Sequence, residues 1–171
     1  IKEGDSLVIF NFREDSMREI TETFAADDFD GFERKEINDL KVATMTEYEK
    51  NLPGVEAAFS PLEIDWPLSR VISAAGRKQL HIAESEKYAH VTYFFNGGVE
   101  KPFLGEDRIL VPSLAVPHFD EHPEMKAREI TEKIIANLEN YDFILGNLAN
   151  ADIVGHTGKF EAVGRAVEVV D

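Results

Sequence analysis

Asp152 and His156 stand four residues apart in the run Asn147-Leu148-Ala149-Asn150-Ala151-Asp152-Ile153-Val154-Gly155-His156, directly after an apolar stretch. A carboxylate and a neutral imidazole are both ligands for manganese- or zinc-type cations. If the segment turns helically, the i, i+4 spacing points both side chains the same way, and Gly155 would let backbone approach closely. The same spacing also suits a surface cap beside a hydrogen-bonded histidine. Spacing alone favours the surface reading; the place after a buried strand strengthens the metal reading without overtaking it, because ligands of open α/β sheets collect outside the carboxyl ends of strands.

Two further segments follow predicted strands. In Asn11-Phe12-Arg13-Glu14-Asp15-Ser16-Met17-Arg18, Arg13 could grip a carboxylate or phosphate bidentately, and the next helix would add N–H donors for an anion. The plainer reading is a surface Arg13 paired with Glu14 or Asp15, and a Ser16 that only caps. In Glu84-Ser85-Glu86-Lys87-Tyr88-Ala89-His90, Lys87 could be a point charge for a phosphoryl group, or half of a surface pair with Glu86. Two look-alikes are set aside. His118 and His122 share the i, i+4 spacing but fall in a proline-flanked loop, where exposed histidines are expected. Gly155-His156-Thr157-Gly158-Lys159 is too short for a phosphate loop, and Phe160 stands where Ser or Thr must hold magnesium.

The elements that must position these residues are legible from periodicity. Leu7-Val8-Ile9-Phe10 reads as a strand buried on both faces. Met17, Ile20 and Phe24 mark a helix, with Ser16 and Glu19 in capping-box form. A strand is expected over 40–45, then an irregular stretch over 46–66 broken by Pro53-Gly54 and Pro61, where a boundary belongs. Asp65 as N-cap and Pro67 in the first turn open a helix that Gly76 ends. Strands follow over 79–83, 108–111 and 142–148, and helices over 86–95, from Pro123 through Leu138, and from Phe160 with Val163, Val167 and Val170 inward. Residues 149–158 read as a loop. Strands alternating with helices argue an α/β fold with a mostly parallel sheet.

Composition narrows the partners. The 171 residues carry a net charge of −15, which repels a phosphate backbone and excludes nucleic acid as a favoured partner. An anionic small substrate would need a local Arg and Lys cluster or bound metal. There is no cysteine, hence no disulfide framework or thiolate metal site. No apolar run approaches the roughly 20 residues of a membrane span, and Ile1-Lys2-Glu3-Gly4-Asp5 has no signal-peptide form. A cytoplasmic protein without membrane contact is expected. Ile1 is not an initiator Met and Phe160–Asp171 reads as an uncapped helix, so a piece of a longer chain is also expected, with a processed terminus as the plainer alternative.

Phe10-Asn11-Phe12-Arg13, the long run from His81-Ile82-Ala83-Glu84 through Glu86-Lys87-Tyr88-Ala89-His90 to Asn96-Gly97-Gly98, Gly105-Glu106-Asp107-Arg108-Ile109-Leu110-Val111-Pro112-Ser113, and Asn150 to Gly158 resemble, in order, the cofactor-independent phosphoglycerate mutases. The resemblance spans essentially the whole chain. It implies an alkaline-phosphatase-like sheet with helices on both faces, over residues 61–171, preceded over 1–60 by the end of a smaller α/β transferase domain. It implies a glycolytic, cytoplasmic, monomeric enzyme that interconverts 3-phosphoglycerate and 2-phosphoglycerate through a phosphoserine, with two manganese ions. Asp152 and His156 then look like two ligands of one manganese, Lys87 like the lysine on the phosphoryl group, and Arg13 like the first of two substrate-binding arginines. The family usually reads Arg-Pro-Asp-Arg where this chain has Arg13-Glu14-Asp15-Ser16, so Arg18 becomes the candidate for the second arginine's task. The nucleophilic serine and the remaining ligands are not in these residues, so this chain alone is expected to be inactive. The competing readings are a degenerate, non-catalytic binding module, which Ser16 favours, and another alkaline-phosphatase-like enzyme, a phosphatase or a phosphopentomutase.

Overall fold

In a computed structural model of the chain, all residues are described except 50, 51, 61 and 63, and the side chains of Asp15 and Ser16. The chain divides into two compact units, Ile1–Glu63 and Ile64–Asp171.

The first unit holds a parallel three-stranded sheet in the order β1 (Ser6–Ile9), β2 (Lys41–Thr44), β3 (Val55–Ala57). Helix α1 (Asp15–Ala25) follows β1. Three expectations need correction here. The run at Leu7–Phe10 is not buried on both faces: β1 is an edge strand, and Val8 is 64% and Phe10 84% exposed. Helix α1 begins one residue before Ser16, so Ser16 lies in the first turn; the N-cap position is Glu14, which makes no side-chain cap bond. The helix therefore closes on the backbone bond from Arg18 N–H to Glu14 O, 2.9 Å. Within the stretch read as irregular, Val55-Glu56-Ala57 pairs with β2, a strand too short to show a period.

The second unit is built on a parallel sheet in the order β5 (Glu106–Val111), β4 (Gln79–Glu84), β6 (Phe143–Asn147). Central β4 is buried at every position. Its alternate side chains serve two layers, as a strand covered on both faces must. Ile82 packs with Val111 and Ile130 under helix α4 (Ala127–Asn137). On the other face Gln79 donates to Ser69 O of helix α2 (Leu68–Ala74), and the ring of His81 meets Phe95 edge-on at 5.3 Å. Gly146 lets α4 sit close on β6: a Cβ there would lie 2.7 Å from Ile134 Cδ1.

Helix α3 (Ser85–Ala89) leaves β4 and runs into a π-helical turn, His90–Phe94. After β6 comes α5 (Asn150–Gly155), helical where a loop was expected, then α6 (Phe160–Val170). Helix α6 buries Ala162 and Ala166 against α5, while Phe160, Val167 and Val170 are 89%, 51% and 40% exposed. The two alanines, with half-buried Val163 beside them, face inward because α5 lies close against them; the outward place of Phe160, Val167 and Val170 corrects the expectation. Two caps also differ from expectation. Pro67, not Asp65, holds the N-cap position of α2. Helix α4 starts at Ala127 rather than Pro123, after a 3-10 turn at Phe119–Glu121. Among the described residues, no helix is long and apolar enough to cross a membrane.

Candidate metal centre

Strands β4 and β6 are parallel neighbours, with Ala83 opposite Asn147, so their carboxyl ends coincide. The segment leaving β4 carries Lys87 on α3; the one leaving β6 carries Asp152 and His156 at α5. Lys87 Nζ donates to Asp152 Oδ2. The other oxygen, Oδ1, lies 3.6 Å from His156 Nε2. Lys87 is only 14% exposed along its side chain, whereas Asp152 and His156 are 53% and 61% exposed. The lysine stem is thus packed and its ammonium aimed, while the two candidate ligands face outward together. Lys87 does not form the surface pair with Glu86 that was its plainer reading; Glu86 accepts from Ser113 Oγ instead.

The donor chemistry fits a divalent cation. Two ligand atoms about 2.1 Å from one ion lie roughly 3.0–3.6 Å apart for ordinary coordination angles, and the oxygen and nitrogen here are 3.6 Å apart. One carboxylate and one imidazole make a borderline donor pair suited to manganese, cobalt or zinc. Among the described residues, no group of three or more His, Asp or Glu is placed to hold a metal ion. Gly155 makes no close approach within the chain: a Cβ there would meet nothing within 4 Å.

Buried polar side chains that periodicity did not single out frame this pair. Glu84, fully buried at the end of β4, accepts from Lys126 N–H at 2.8 Å. Burial pushes its carboxyl above the ordinary carboxylate range, against the opposing pull of that hydrogen bond. Asn150, also fully buried, donates to Pro123 O at 2.7 Å and Glu124 O at 2.9 Å. Lys159 pairs with Asp120. Behind α3, Glu106 accepts from Asn96 Nδ2 at 2.8 Å, Phe103 N–H at 2.9 Å and Arg108 Nε at 2.6 Å, which ties down the segment after the π-helical turn. Burial lowers the pKa of His81 beside it, with Glu106 opposing. A signal for these residues existed: Gln79, His81 and Glu84 interrupt a strand that a doubly covered sheet must bury, and buried polar groups are paired. Of the two look-alike histidines, only one is fully exposed as expected. His118 is exposed, and His122 lies 3.4 Å from Glu124 at a 43% exposed side chain.

In the first unit, Arg13 is exposed in the extended segment beyond β1, and its N–H donates to Asn11 Oδ1 at 2.9 Å. Buried Tyr48 holds that segment by hydrogen-bonding Asn11 O, with Ile9 O 3.3 Å from its hydroxyl. Arg18 turns to the other side of Tyr48: its Nε lies 2.9 Å from Glu49 Oε2 and 3.3 Å from Tyr48 O. The side chain of Ser16 lies outside the described residues.

A parallel sheet that gathers a carboxylate, an imidazole and a lysine at its carboxyl edge is an α/β architecture of the kind that places ligands there. The chain belongs to the Metalloenzyme superfamily, whose profile matches residues 59–171. Residues 1–50 match the profile described as the BPG-independent PGAM N-terminus. Over its full length the chain is 52% identical to the 2,3-bisphosphoglycerate-independent phosphoglycerate mutase of Synechococcus sp. (strain JA-3-3Ab), of which it covers 32%. It is 51% identical to that of Moorella thermoacetica, of which it covers 33%. A crystal structure of Leishmania mexicana phosphoglycerate mutase at low cobalt concentration superposes with a TM-score of 0.72 at 32% identity, over 99% of this chain and 32% of that one. The chain therefore spans about a third of the length of these relatives. The resemblance read from the sequence and the α/β architecture it implied are both borne out.

Proposed function

We propose that the chain supplies part of the catalytic machinery of a 2,3-bisphosphoglycerate-independent phosphoglycerate mutase, interconverting 3-phosphoglycerate and 2-phosphoglycerate by way of a phosphoserine. The observation that carries this is the meeting of Lys87, Asp152 and His156 at one strand edge, from segments 65 residues apart in sequence. Residues 1–60 would end the transferase domain that orients the glycerate, and 61–171 would belong to the metal-binding domain. The division into compact units at residues 63 and 64 supports that reading.

In this reading Asp152 and His156 hold one of two manganese ions. When bound, such an ion lowers the pKa of an attacking hydroxyl and stabilises charge on the transferring group. The residues of this chain do the rest of their work without changing covalently. Lys87 is a packed point charge that exchanges the Asp152 carboxylate for a phosphoryl oxygen. Arg13 offers a planar bidentate donor to the substrate's anionic end. Their joint role is to bind and orient while the phosphoryl group moves between hydroxyls.

Kinetics on the full-length enzyme test this. Lys87→Met should lower kcat by two orders of magnitude or more, since preorganised charge on the reacting group is worth about that much. Normal turnover in Lys87→Met would end the assignment. The 171-residue polypeptide by itself should show no mutase turnover, because among the described residues no group of three or more candidate ligands is gathered. Activity in the highly purified polypeptide would overturn that expectation.

A further inference from the structure

The connection between β5 and α4 touches both segments that carry the site. Its Lys126 N–H is bonded by Glu84, three residues before Lys87. Its Pro123 and Glu124 carbonyls are bonded by Asn150, two residues before Asp152. Both bonding side chains are fully buried. Resting on the metal reading above, we propose that Asn150 and Glu84 are positioning residues, which fix Asp152 and His156 relative to Lys87 through the Pro123–Lys126 turn they share.

The turn is suited to that task. An amide NH2 has two hydrogens, and Asn150 spends both on consecutive carbonyls, which sets the roll of α5 about its axis as a single bond could not. Met125, between the two anchor points, sits at φ 42, an uncommon conformation for a residue with a side chain. Such a conformation persists where the surroundings over-determine it. Those surroundings are visible. Met125 N–H donates to His122 O at 3.1 Å, and the Met125 side chain is buried with Ala149 and Val154, the latter between the two candidate ligands in sequence. Lys159, three residues after His156, pairs with Asp120 on the same connection. Helix α5 has only six residues and little stability of its own. Its ligand geometry is therefore set from outside, and the directed bonds come from this turn.

Cobalt(II) binding to the metal-free full-length protein, followed by calorimetry and by the visible d–d absorption of the bound ion, tests the proposal. Asp152→Ala identifies the ion held through this pair. Asn150→Asp, which removes both donors in the same volume, and Glu84→Met, which removes the acceptor while filling the space, should each weaken that ion about 10- to 100-fold and shift its absorption. Glu84→Gln keeps an oxygen for Lys126 N–H and should bind within about twofold of wild type, as support for a bond-directed role. If Asn150→Asp fails to fold, Glu84→Met against Glu84→Gln decides in the same way. Unchanged cobalt affinity and absorption in the folded variants, while Asp152→Ala loses an ion, would overturn the positioning role and leave the metal pair standing. Unchanged binding in Asp152→Ala would overturn the metal reading itself.

Discussion

The two units place their candidate residues in opposite ways. In the second, the strand under the site is central and buried at every position, and Lys87 reaches Asp152 along a packed stem. In the first, Arg13 leaves an edge strand whose outward residues are exposed, and it is steadied by an Asn11 turn and the Tyr48 hydroxyl. A buried frame costs desolvation, but its hydrogen bonds hold geometry tightly. An exposed strand end holds geometry loosely and keeps its charge free of desolvation. The difference matches the tasks proposed for each: fixing an ion to fractions of an ångström, against gripping a mobile carboxylate by charge.

The sharpest way to break that contrast is to remove one member from each unit of the full-length enzyme. Asp152→Ala should have the largest effect. It removes a ligand and leaves Lys87 without its partner, so kcat should fall by at least about a hundredfold, with loss of bound metal. Full turnover at low metal concentration would show that Asp152 is no ligand. Arg13→Ala should come next. Its loss should fall on kcat/KM, by about one to two orders of magnitude, because a bidentate charge-assisted contact is lost. Its melting temperature should stay near wild type, since the side chain is exposed. A melting temperature that falls as far as activity would mean that Arg13 is structural.

A smaller effect tests the buried frame directly. Glu84 holds its proton to a higher pH folded than unfolded, because burial disfavours the charge. That advantage to the folded state is fully present below the ordinary carboxylate pKa, and it is lost as pH rises through the raised value. Glu84→Gln never carries the charge and keeps the bond to Lys126. It should melt a few degrees above wild type at neutral pH, and the gap should close as pH falls towards about 4. A gap that widens on acidification would refute the raised pKa.

What the sequence disclosed follows the same division. The second unit's strands were legible because apolar runs there are bounded by clear breakers, and Asp152 and Lys87 stood just beyond predicted strand ends. Helix α5 was not, because six residues are too few to show a period; they pack with Met125 and against α6. Glu84 interrupts a buried strand and so could be flagged, but its partner lies 42 residues away and those of Asn150 lie 26 and 27 residues away, which no local pattern can reveal. In the first unit, Leu7–Phe10 looked doubly buried because an apolar run cannot distinguish a central strand from an edge strand. The capping-box reading failed at Ser16 because the helix starts two residues earlier than the box requires, with Glu14 rather than Ser16 in the N-cap position.

The smallest effect expected is at Arg18, the candidate replacement for the arginine that Ser16 displaces. A shifted register would require Arg18 to aim with Arg13 at a common anion. The structure gives it other work: its guanidinium lies 2.9 Å from Glu49 and 3.3 Å from Tyr48 O, with half the side chain exposed. Exposed pairs of this kind contribute about 0.2–1 kcal/mol. Pulling Arg18 away would also forfeit a contact that steadies Tyr48, and through Tyr48 the segment leading to Arg13. Arg18→Ala in the full-length enzyme should therefore lower the melting temperature by no more than about 4 °C and reduce kcat/KM only a few-fold, through Tyr48. Glu49→Gln should reproduce the stability change, because it breaks the same pair without touching any substrate group. The outcome that decides against this is a loss of kcat/KM in Arg18→Ala as large as in Arg13→Ala, with Glu49→Gln fully active. That pattern would mean that Arg18 leaves Glu49 for the substrate, and that two arginines serve this exposed edge as a pair.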